Sequence, residues 1–208
     1  MWKQLFQRAP KPPVYITVVS GLPRSGTSMM MRMLSAGGMP VLADNVHQAD
    51  ADNPHGYYEL EGVKTLKDNP AILDQALGKA CKVISALLYD LPKDKPYKVI
   101  FMQRDVAEIL ASQRAMLQRR SPTEQFTSDT EMRNLFARHL DDIKAWLSRQ
   151  GNIAVLYVDY GQVIAAPAAC AQAVNRFLDH RLDEQLMLAA VDHTLYRNRA
   201  DGPPSEAV

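Results

Sequence analysis

Two patterns of apolar and polar residues alternate along this chain. Short apolar runs rich in β-branched residues predict strands at 14–20, 82–85, 98–103 and 153–158. Stretches with apolar residues at helical spacing lie between these runs. Buried strands that alternate with helices favour a parallel sheet covered by helices on both faces. The pattern therefore predicts an α/β fold, a three-layer domain with a central, mostly parallel sheet flanked by helices.

The predicted helices come with residues that commonly begin helices. Asp105 with Glu108, and Ser128 with Glu131, have the spacing of a capping box, which satisfies free N–H groups at a helix start. The helices predicted in this way cover residues 27–36, 69–79, 105–119, 128–147 and 167–178. Polar residues predict a long loop over 41–58, and long loops often carry function.

Length and composition indicate one domain over residues 1–208. The chain has 208 residues, 47% of them hydrophobic, which suits a single core. The proline-bearing ends, 1–13 and 200–208, are predicted to be loose tails. The net charge of +1 gives no general basic footprint, so a nucleic-acid partner is not expected.

No segment predicts export or a membrane span. The start of the chain lacks the continuous apolar stretch of a signal peptide. The apolar run at 14–22 is shorter than the ~20 residues that cross a bilayer. Cys81 and Cys170 lack CxxC spacing, which favours reduced thiols. We therefore expect a cytoplasmic protein without membrane insertion, and the sequence does not indicate its oligomeric state.

The segment from Gly21 to Ser28, GLPRSGTS, has the glycine spacing of a phosphate-binding loop. It follows a predicted strand and precedes a predicted helix, so backbone N–H groups and the positive helix end would face an anion. P-loop kinases and nucleotidases carry a lysine where this chain has Thr27, and here the cation is Arg24, within the loop. We therefore predict a P-loop-type domain whose ligand is not an ordinary nucleoside triphosphate.

The stretch PRSGTS, residues 23–28, resembles the PAPS-dependent sulfotransferases. In that family the loop binds the 5′-phosphosulfate of the donor PAPS, which is released as PAP. The resemblance implies the same ligand for this chain. The residues that would hold the 5′-phosphosulfate are Arg24, Ser25, Gly26, Thr27 and Ser28.

A second part of the resemblance lies at the end of the strand predicted at 98–103. Arg104 follows this strand and Ser112 lies eight residues later, in RDVAEILAS. In sulfotransferases an arginine and a serine at this spacing bind the 3′-phosphate of the nucleotide, for which a guanidinium and a hydroxyl are suitable donors. Arg197 and Arg199 lie near the later basic residues that the family places on this phosphate, although its RKG signature is absent.

The segment KVISALLYDLP, residues 82–92, resembles the region of cytosolic sulfotransferases that carries a catalytic lysine and a histidine base. Lys82 matches the lysine, which contacts the phosphate that bears the sulfuryl group. Lys82 and Arg24 are therefore the cations predicted to stabilise the leaving phosphate. The histidine position is Ile84 in this chain, so the base must lie elsewhere.

The base is predicted in the segment NPHGYYELE, residues 53–61. Bacterial members of the family carry similar segments, and some branches use a glutamate as the base. The resemblance places this glutamate at Glu59. Glu61 and His55 are the alternatives.

No metal is expected at the site. Asp44, His47, Asp50 and Asp52 have the spacing of no standard ligand set, and an acidic surface loop is the simpler interpretation. Asp159 follows a predicted strand. It matches equally the magnesium carboxylate of a kinase and the strand-end acidic residue of a sulfotransferase, so it does not separate the two.

Together these residues predict a sulfotransferase that moves a sulfuryl group from PAPS to a hydroxyl or amine. The acceptor would be a small molecule or a glycan-type compound, and no signature in the sequence identifies it. Two alternatives stay open. One is a P-loop nucleotide kinase or NTPase, and the other is a non-catalytic adenine-nucleotide-binding module of the same fold.

Overall fold

A four-stranded sheet lies at the centre of the domain, with helices on both of its faces. The structure is a computed structural model that describes residues 14–44, 50, 53–120 and 128–196. The predicted tails, 1–13 and 200–208, lie outside the described residues. No helix of the described residues is long and apolar enough to cross a membrane.

The strands are arranged in the order β2-β1-β3-β4. Each neighbouring pair is parallel, so the described sheet is parallel throughout. The strand bounds are β1 Ile16–Gly21, β2 Ala80–Lys82, β3 Tyr97–Gln103 and β4 Ile153–Asp159. Because β1 has a partner on each side and helices on both faces, all of its residues are buried. This burial explains why the run is mostly apolar, and it also buries the two polar residues of β1, Thr17 and Ser20.

Helices connect the strands and cover the sheet. The α-helices are α1 Thr27–Ala36, α2 Val106–Arg120, α3 Asp129–Leu147, α4 Tyr160–Ala165, α5 Pro167–Phe177 and α6 Glu184–Ala189. Shorter 3₁₀ helices cover Glu61–Thr65, Pro70–Ala76, Ser85–Asp90 and His193–Leu195. The helix start predicted at Ser128 is confirmed, since the Ser128 hydroxyl accepts the N–H of Glu131 at 3.3 Å; the Glu131 carboxylate accepts a hydrogen bond from that hydroxyl at 2.9 Å.

The sheet separates two hydrophobic cores. Val19 and Ile100 face the core formed with α1, α5 and α6. Val18 and Phe101, the alternate residues of the same strands, face the core under α3. Three methionines of α1 are fully buried in the first core: Met30, Met31 and Met33. The methionine-rich stretch of the sequence is therefore packing.

The strand predicted at 82–85 is displaced toward the N-terminus. β2 ends at Lys82, and Val83 adds one further hydrogen bond to the Val19 carbonyl at 3.0 Å. The chain then turns into a 3₁₀ helix, and Ile84 is 38% exposed. The sequence prediction was wrong here because the apolar character of Ile84 does not reflect burial in the sheet.

The helix predicted at 69–79 is shorter and tighter than expected. It is a 3₁₀ helix over Pro70–Ala76, and the Asn69 side chain does not cap it. The capping box predicted at the start of α2 is only half formed. Asp105 accepts the N–H of Ala107 at 2.7 Å, but the Glu108 carboxylate turns to Arg104 instead.

The carboxyl ends of three neighbouring strands place the residues of interest at one edge of the sheet. β1 continues into the glycine-containing loop, β2 ends at Lys82, and Arg104 follows β3. In parallel sheets ligands bind at this edge. The topology therefore brings together three segments that lie far apart in the sequence.

Candidate active site

The loop between β1 and α1 turns sharply through three residues with positive φ. Gly21, Arg24 and Gly26 have φ values of 147°, 72° and 99°. Gly26 is the N-cap of α1 and adopts the left-handed conformation, and no side chain of the described residues caps this helix. The first N–H groups of an α-helix have no acceptor within the helix. The loop therefore presents backbone donors and the positive helix end to the same space.

Close neighbours leave no room for a side chain at either glycine of the loop. A Cβ on Gly21 would lie 2.6 Å from the carbonyl oxygen of Met102, at the end of β3. A Cβ on Gly26 would lie 2.4 Å from Cδ2 of Tyr160, the residue that follows β4. The loop is thus held against the ends of two strands, and its backbone shape is fixed before any ligand binds.

The side chains of the loop differ in what they face. Thr27 and Ser28 line an open cleft above the loop, whereas Ser25 is not among the residues that line it. The Ser25 side chain is buried and faces Gly21. Its hydroxyl has no hydrogen-bond partner among the described residues. The Ser28 hydroxyl accepts a hydrogen bond from the Asn53 amide at 2.9 Å, so the 53–59 segment contacts the loop directly.

Lys82 lies beneath the 53–59 segment with a side chain only 9% exposed. Its ammonium donates to the Tyr57 carbonyl at 2.9 Å, to Glu59 Oε1 at 3.2 Å and to the Ser28 hydroxyl at 3.3 Å. Burial lowers the pKa of Lys82, and the Glu59 carboxylate opposes that shift. Lys82 is thus a buried cation with three hydrogen-bond partners, and it lies beside the loop between β1 and α1.

Arg24, Arg104 and Ser112 meet on the other side of the loop. The Arg24 guanidinium donates to the Ser112 hydroxyl at 3.0 Å. The Arg104 guanidinium donates to the Arg24 carbonyl at 3.2 Å, which ties the loop to the end of β3. The structure thus brings Arg104 and Ser112, the pair selected through the family resemblance, into contact with Arg24 of the loop.

Arg104 is also part of a buried cluster that the sequence did not reveal. Its Nε donates to Glu108 Oε2 at 2.9 Å, and both side chains are 7% exposed. The rings of Tyr160 and Tyr196 lie 4.4 and 5.6 Å from the guanidinium carbon. Tyr196 donates its hydroxyl to Glu108 at 2.8 Å. Arg104 therefore has a carboxylate partner and two aromatic neighbours.

These groups surround one open cleft of about 360 Å³. Loop, strand-end and α2 residues line its polar part. Ile84, Ala115 and Met116 line an apolar part. The lining residues that the sequence also selects are Arg24, Gly26, Thr27, Ser28, Glu59, Lys82, Arg104 and Ser112.

Comparison with known proteins identifies the family. The family model described as "Sulfotransferase domain" matches residues 16–207. This chain belongs to the sulfotransferase domain family. No curated protein matches it at a significant level.

Two solved structures share the fold of this sulfotransferase domain. The "Sulfotransferase Domain from the Curacin Biosynthetic Pathway" has 13% identity and a TM-score of 0.52, over 93% of this chain and 94% of that one. The "Sulfotransferase Domain from the Synechococcus PCC 7002 Olefin Synthase" has 16% identity and a TM-score of 0.54, over 99% of this chain and 94% of that one. At these identities the likeness concerns the fold alone.

The structure separates the three residues that the sequence offers as the base. Glu59 lines the cleft beside Lys82. Glu61 lies at the surface, where Lys64 donates to its carboxylate at 2.7 Å. His55 contacts Asp192 at 2.9 Å outside the cleft lining. Of the three, only Glu59 lines the cleft.

Other residues from the sequence prediction lie away from the cleft or outside the described part. Asp159 caps α4 by accepting the N–H of Gln162 at 2.9 Å. Arg197 and Arg199 lie outside the described residues, as do His47 and Asp52. Within the described residues no group of three His, Cys, Asp or Glu side chains is arranged to hold a metal ion. Metal independence stays a prediction.

Gly26→Ala should deform the loop, because the added methyl group meets the Tyr160 ring in a conformation that alanine rarely adopts. We expect a loss of about 1 to 3 kcal/mol in the free energy of unfolding and a loss of PAP binding. Chemical denaturation and calorimetry measure these two quantities.

Gly38→Ala is the matched control for this change. Gly38 has a similar φ of 94°, and its added methyl group would meet nothing within 4 Å. It therefore carries the backbone strain without the collision. Equal stability and equal PAP affinity of the two variants would show that contact with Tyr160 does not shape the loop.

Proposed function

We propose that this chain transfers a sulfuryl group from PAPS to a hydroxyl or amine of an acceptor. The observation that carries the proposal is the convergence of an anion-binding loop and three cations at one edge of the sheet. The cations are Arg24, Lys82 and Arg104, which come from three segments of the chain. A bisphosphorylated nucleotide with a phosphosulfate needs this combination of backbone donors and fixed positive charge.

The residues of the cleft fit the donor group by group. The backbone N–H groups of residues 24–28 would hold the 5′-phosphosulfate at the start of α1. The Arg24 side chain, in this loop, and Lys82, beside it, would face the leaving phosphate. Ser112 accepts its hydrogen bond from Arg24, so its own O–H can donate to the 3′-phosphate beside Arg104.

In the chemical step the protein would supply a general base and fixed positive charge. As the acceptor oxygen forms its bond to sulfur, Glu59 takes the acceptor proton as a general base. The bond from sulfur to the 5′-phosphate oxygen breaks, and its electron pair stays on the leaving phosphate. Arg24 and Lys82 stabilise that developing charge from fixed positions. The products are PAP, the sulfated acceptor and a proton on Glu59.

A kinase-like function requires a different loop. In P-loop kinases a lysine reaches the β- and γ-phosphates and a carboxylate helps to hold magnesium. In this chain Thr27 occupies the lysine position, and Asp159 at the end of β4 caps a helix. These contacts favour the sulfotransferase over the kinase. The other alternative is a non-catalytic nucleotide-binding module. The transfer assay with the wild type and the Glu59 variant distinguishes it from a sulfotransferase.

PAP should bind at least tenfold more tightly than 5′-AMP, because Arg104 and Ser112 add hydrogen bonds to the 3′-phosphate. A hydrogen bond to a charged group contributes about 1.5 to 3 kcal/mol, and 1.4 kcal/mol is a factor of ten. Calorimetry with the two nucleotides measures the ratio. Equal affinities would contradict the proposed donor.

Ser112→Ala should reduce this ratio while binding of 5′-AMP stays close to that of the wild type. Arg104→Ala should also reduce the ratio, and it should weaken 5′-AMP binding as well, because Arg104 holds the Arg24 carbonyl of the loop. Because Arg104 is paired with Glu108 in a buried position, its folded state is checked by thermal unfolding. Ser112→Ala removes only a hydroxyl and keeps the test available if the arginine variant is unstable.

Glu59→Gln should lower the rate of sulfuryl transfer by about 10² to 10⁴, the usual contribution of a general base, while PAP binding is retained. Transfer from labelled PAPS to a panel of hydroxyl acceptors provides the measurement. Glu61→Gln is the matched control, because Glu61 is two residues away and bonds to Lys64 at the surface. Near-normal transfer by Glu59→Gln would remove Glu59 as the base.

Transfer should continue in EDTA, because a sulfuryl group carries less charge than a phosphoryl group and the fixed cations can stabilise the leaving phosphate. Arg24→Ala should cost about 10² to 10³ in rate, as the loss of one fixed donor commonly does. The assay is the same transfer from labelled PAPS, with and without chelator. A collapse in EDTA that magnesium reverses would favour the kinase-like function.

A further inference from the structure

The ammonium group of Lys82 uses all of its donors within the protein. A lysine ammonium has three N–H groups. In this structure they are directed to the Tyr57 carbonyl, the Glu59 carboxylate and the Ser28 hydroxyl, at 2.9, 3.2 and 3.3 Å. A phosphate oxygen can therefore accept a hydrogen bond from Lys82 only if one of these partners is released.

Two of the three partners belong to one segment. Tyr57 and Glu59 lie in residues 53–59, which we call the strap. The strap has a separate attachment to the loop, because the Asn53 amide donates to the Ser28 hydroxyl at 2.9 Å. It can therefore stay in contact with the loop when Lys82 turns away from it.

The charges of the three partners indicate which of them Lys82 would leave. The Tyr57 carbonyl and the Ser28 hydroxyl are neutral, and the Glu59 carboxylate carries one negative charge. A phosphosulfate at the loop brings further negative charge into a site where Lys82 is buried and electrostatic interactions are strong. The ammonium is drawn toward the new anion, and the same anion repels the Glu59 carboxylate from it.

We propose that donor binding moves Lys82 from the strap to the leaving phosphate, and that this exchange releases Glu59 to act as the base. The proposal rests on the proposed function and adds an order of events to it. While Lys82 donates to Glu59 Oε1 at 3.2 Å, that oxygen is occupied and is not available to the acceptor. Lys82 thereby makes the base competent only after the donor has bound.

A double-mutant cycle on PAP binding tests this exchange without any knowledge of the acceptor. Glu59→Gln weakens the attachment of Lys82 to the strap, so PAP should bind about three- to tenfold more tightly than to the wild type. Lys82→Met should weaken PAP binding. In the Lys82→Met background Glu59→Gln should change PAP affinity by less than about twofold, because the coupling between neighbouring groups is removed.

Simple repulsion between Glu59 and the nucleotide predicts a different result. In that case Glu59→Gln tightens PAP binding equally with Lys82 or Met at position 82, and the proposal is overturned. It is also overturned if Glu59→Gln leaves PAP affinity unchanged in the wild-type background. Glu61→Gln removes the same charge at the surface, so an equal tightening by this variant would attribute the effect to net charge and would reject the exchange.

The experiment separates this inference from the proposed function. If PAP binds but the cycle shows no coupling, only the exchange fails. If folded wild-type protein does not bind PAP, the proposed donor fails and both proposals are overturned. Lys82→Arg serves as a second variant should Lys82→Met fold poorly, and it should retain part of the coupling because it keeps the charge.

Discussion

The contact of the phosphate-type loop with the ends of β3 and β4 is the constraint on which the rest of the site depends. Gly21 lies against the Met102 carbonyl and Gly26 against the Tyr160 ring, with no room for a side chain at either position. Arg104 then holds the Arg24 carbonyl. A loop fixed in this way keeps one backbone conformation, so little reorganisation would be needed to bind an anion. The parallel sheet supplies this rigidity, because neighbouring strands end side by side.

Charge balance is the second physical feature of the site. Two of its cations have carboxylate partners, Arg104 with Glu108 and Lys82 with Glu59. Buried charges without partners are costly, so these carboxylates make the buried cations compatible with a stable fold. A nucleotide bound as proposed would compete with the protein's own anions. Because Arg104 and Glu108 are both 7% exposed and further held by Tyr196, that pair is the more permanent of the two. In the Lys82 pair the Glu59 side chain is 31% exposed, and the proposed exchange therefore concerns this pair.

The sequence predicts the parts of this site that depend on local pattern. The strand, glycine loop and helix around Gly26 follow from spacing alone, whereas Arg104 and Ser112 were selected through the family resemblance, by a strand end and a serine eight residues later. The family match at residues 16–207 agrees with the resemblance carried by these motifs. The parts of the site that depend on tertiary contacts could not be predicted from the sequence. Glu108 has capping-box spacing and yet turns to Arg104, and Tyr196 reaches the same cluster from 88 residues away. The 3₁₀ helices between residues 61 and 90 have no strong periodicity, so their type and limits were beyond the sequence.

Ile84 occupies the position at which the cytosolic sulfotransferases carry their histidine base, so the proposed base of this chain comes from another segment. In the cytosolic sulfotransferases that the sequence resembles, lysine and base lie two residues apart on one segment, so their separation is fixed by the local backbone. In this chain Ile84 offers no proton acceptor, and the carboxylate nearest to Lys82 comes from the 53–59 strap. The position of Glu59 thus depends on how the strap rests on Ser28 and Lys82, both of which belong to the anion-binding region. A change in that region would be transmitted directly to Glu59, so the proposed donor binding and the proposed proton transfer share one lysine.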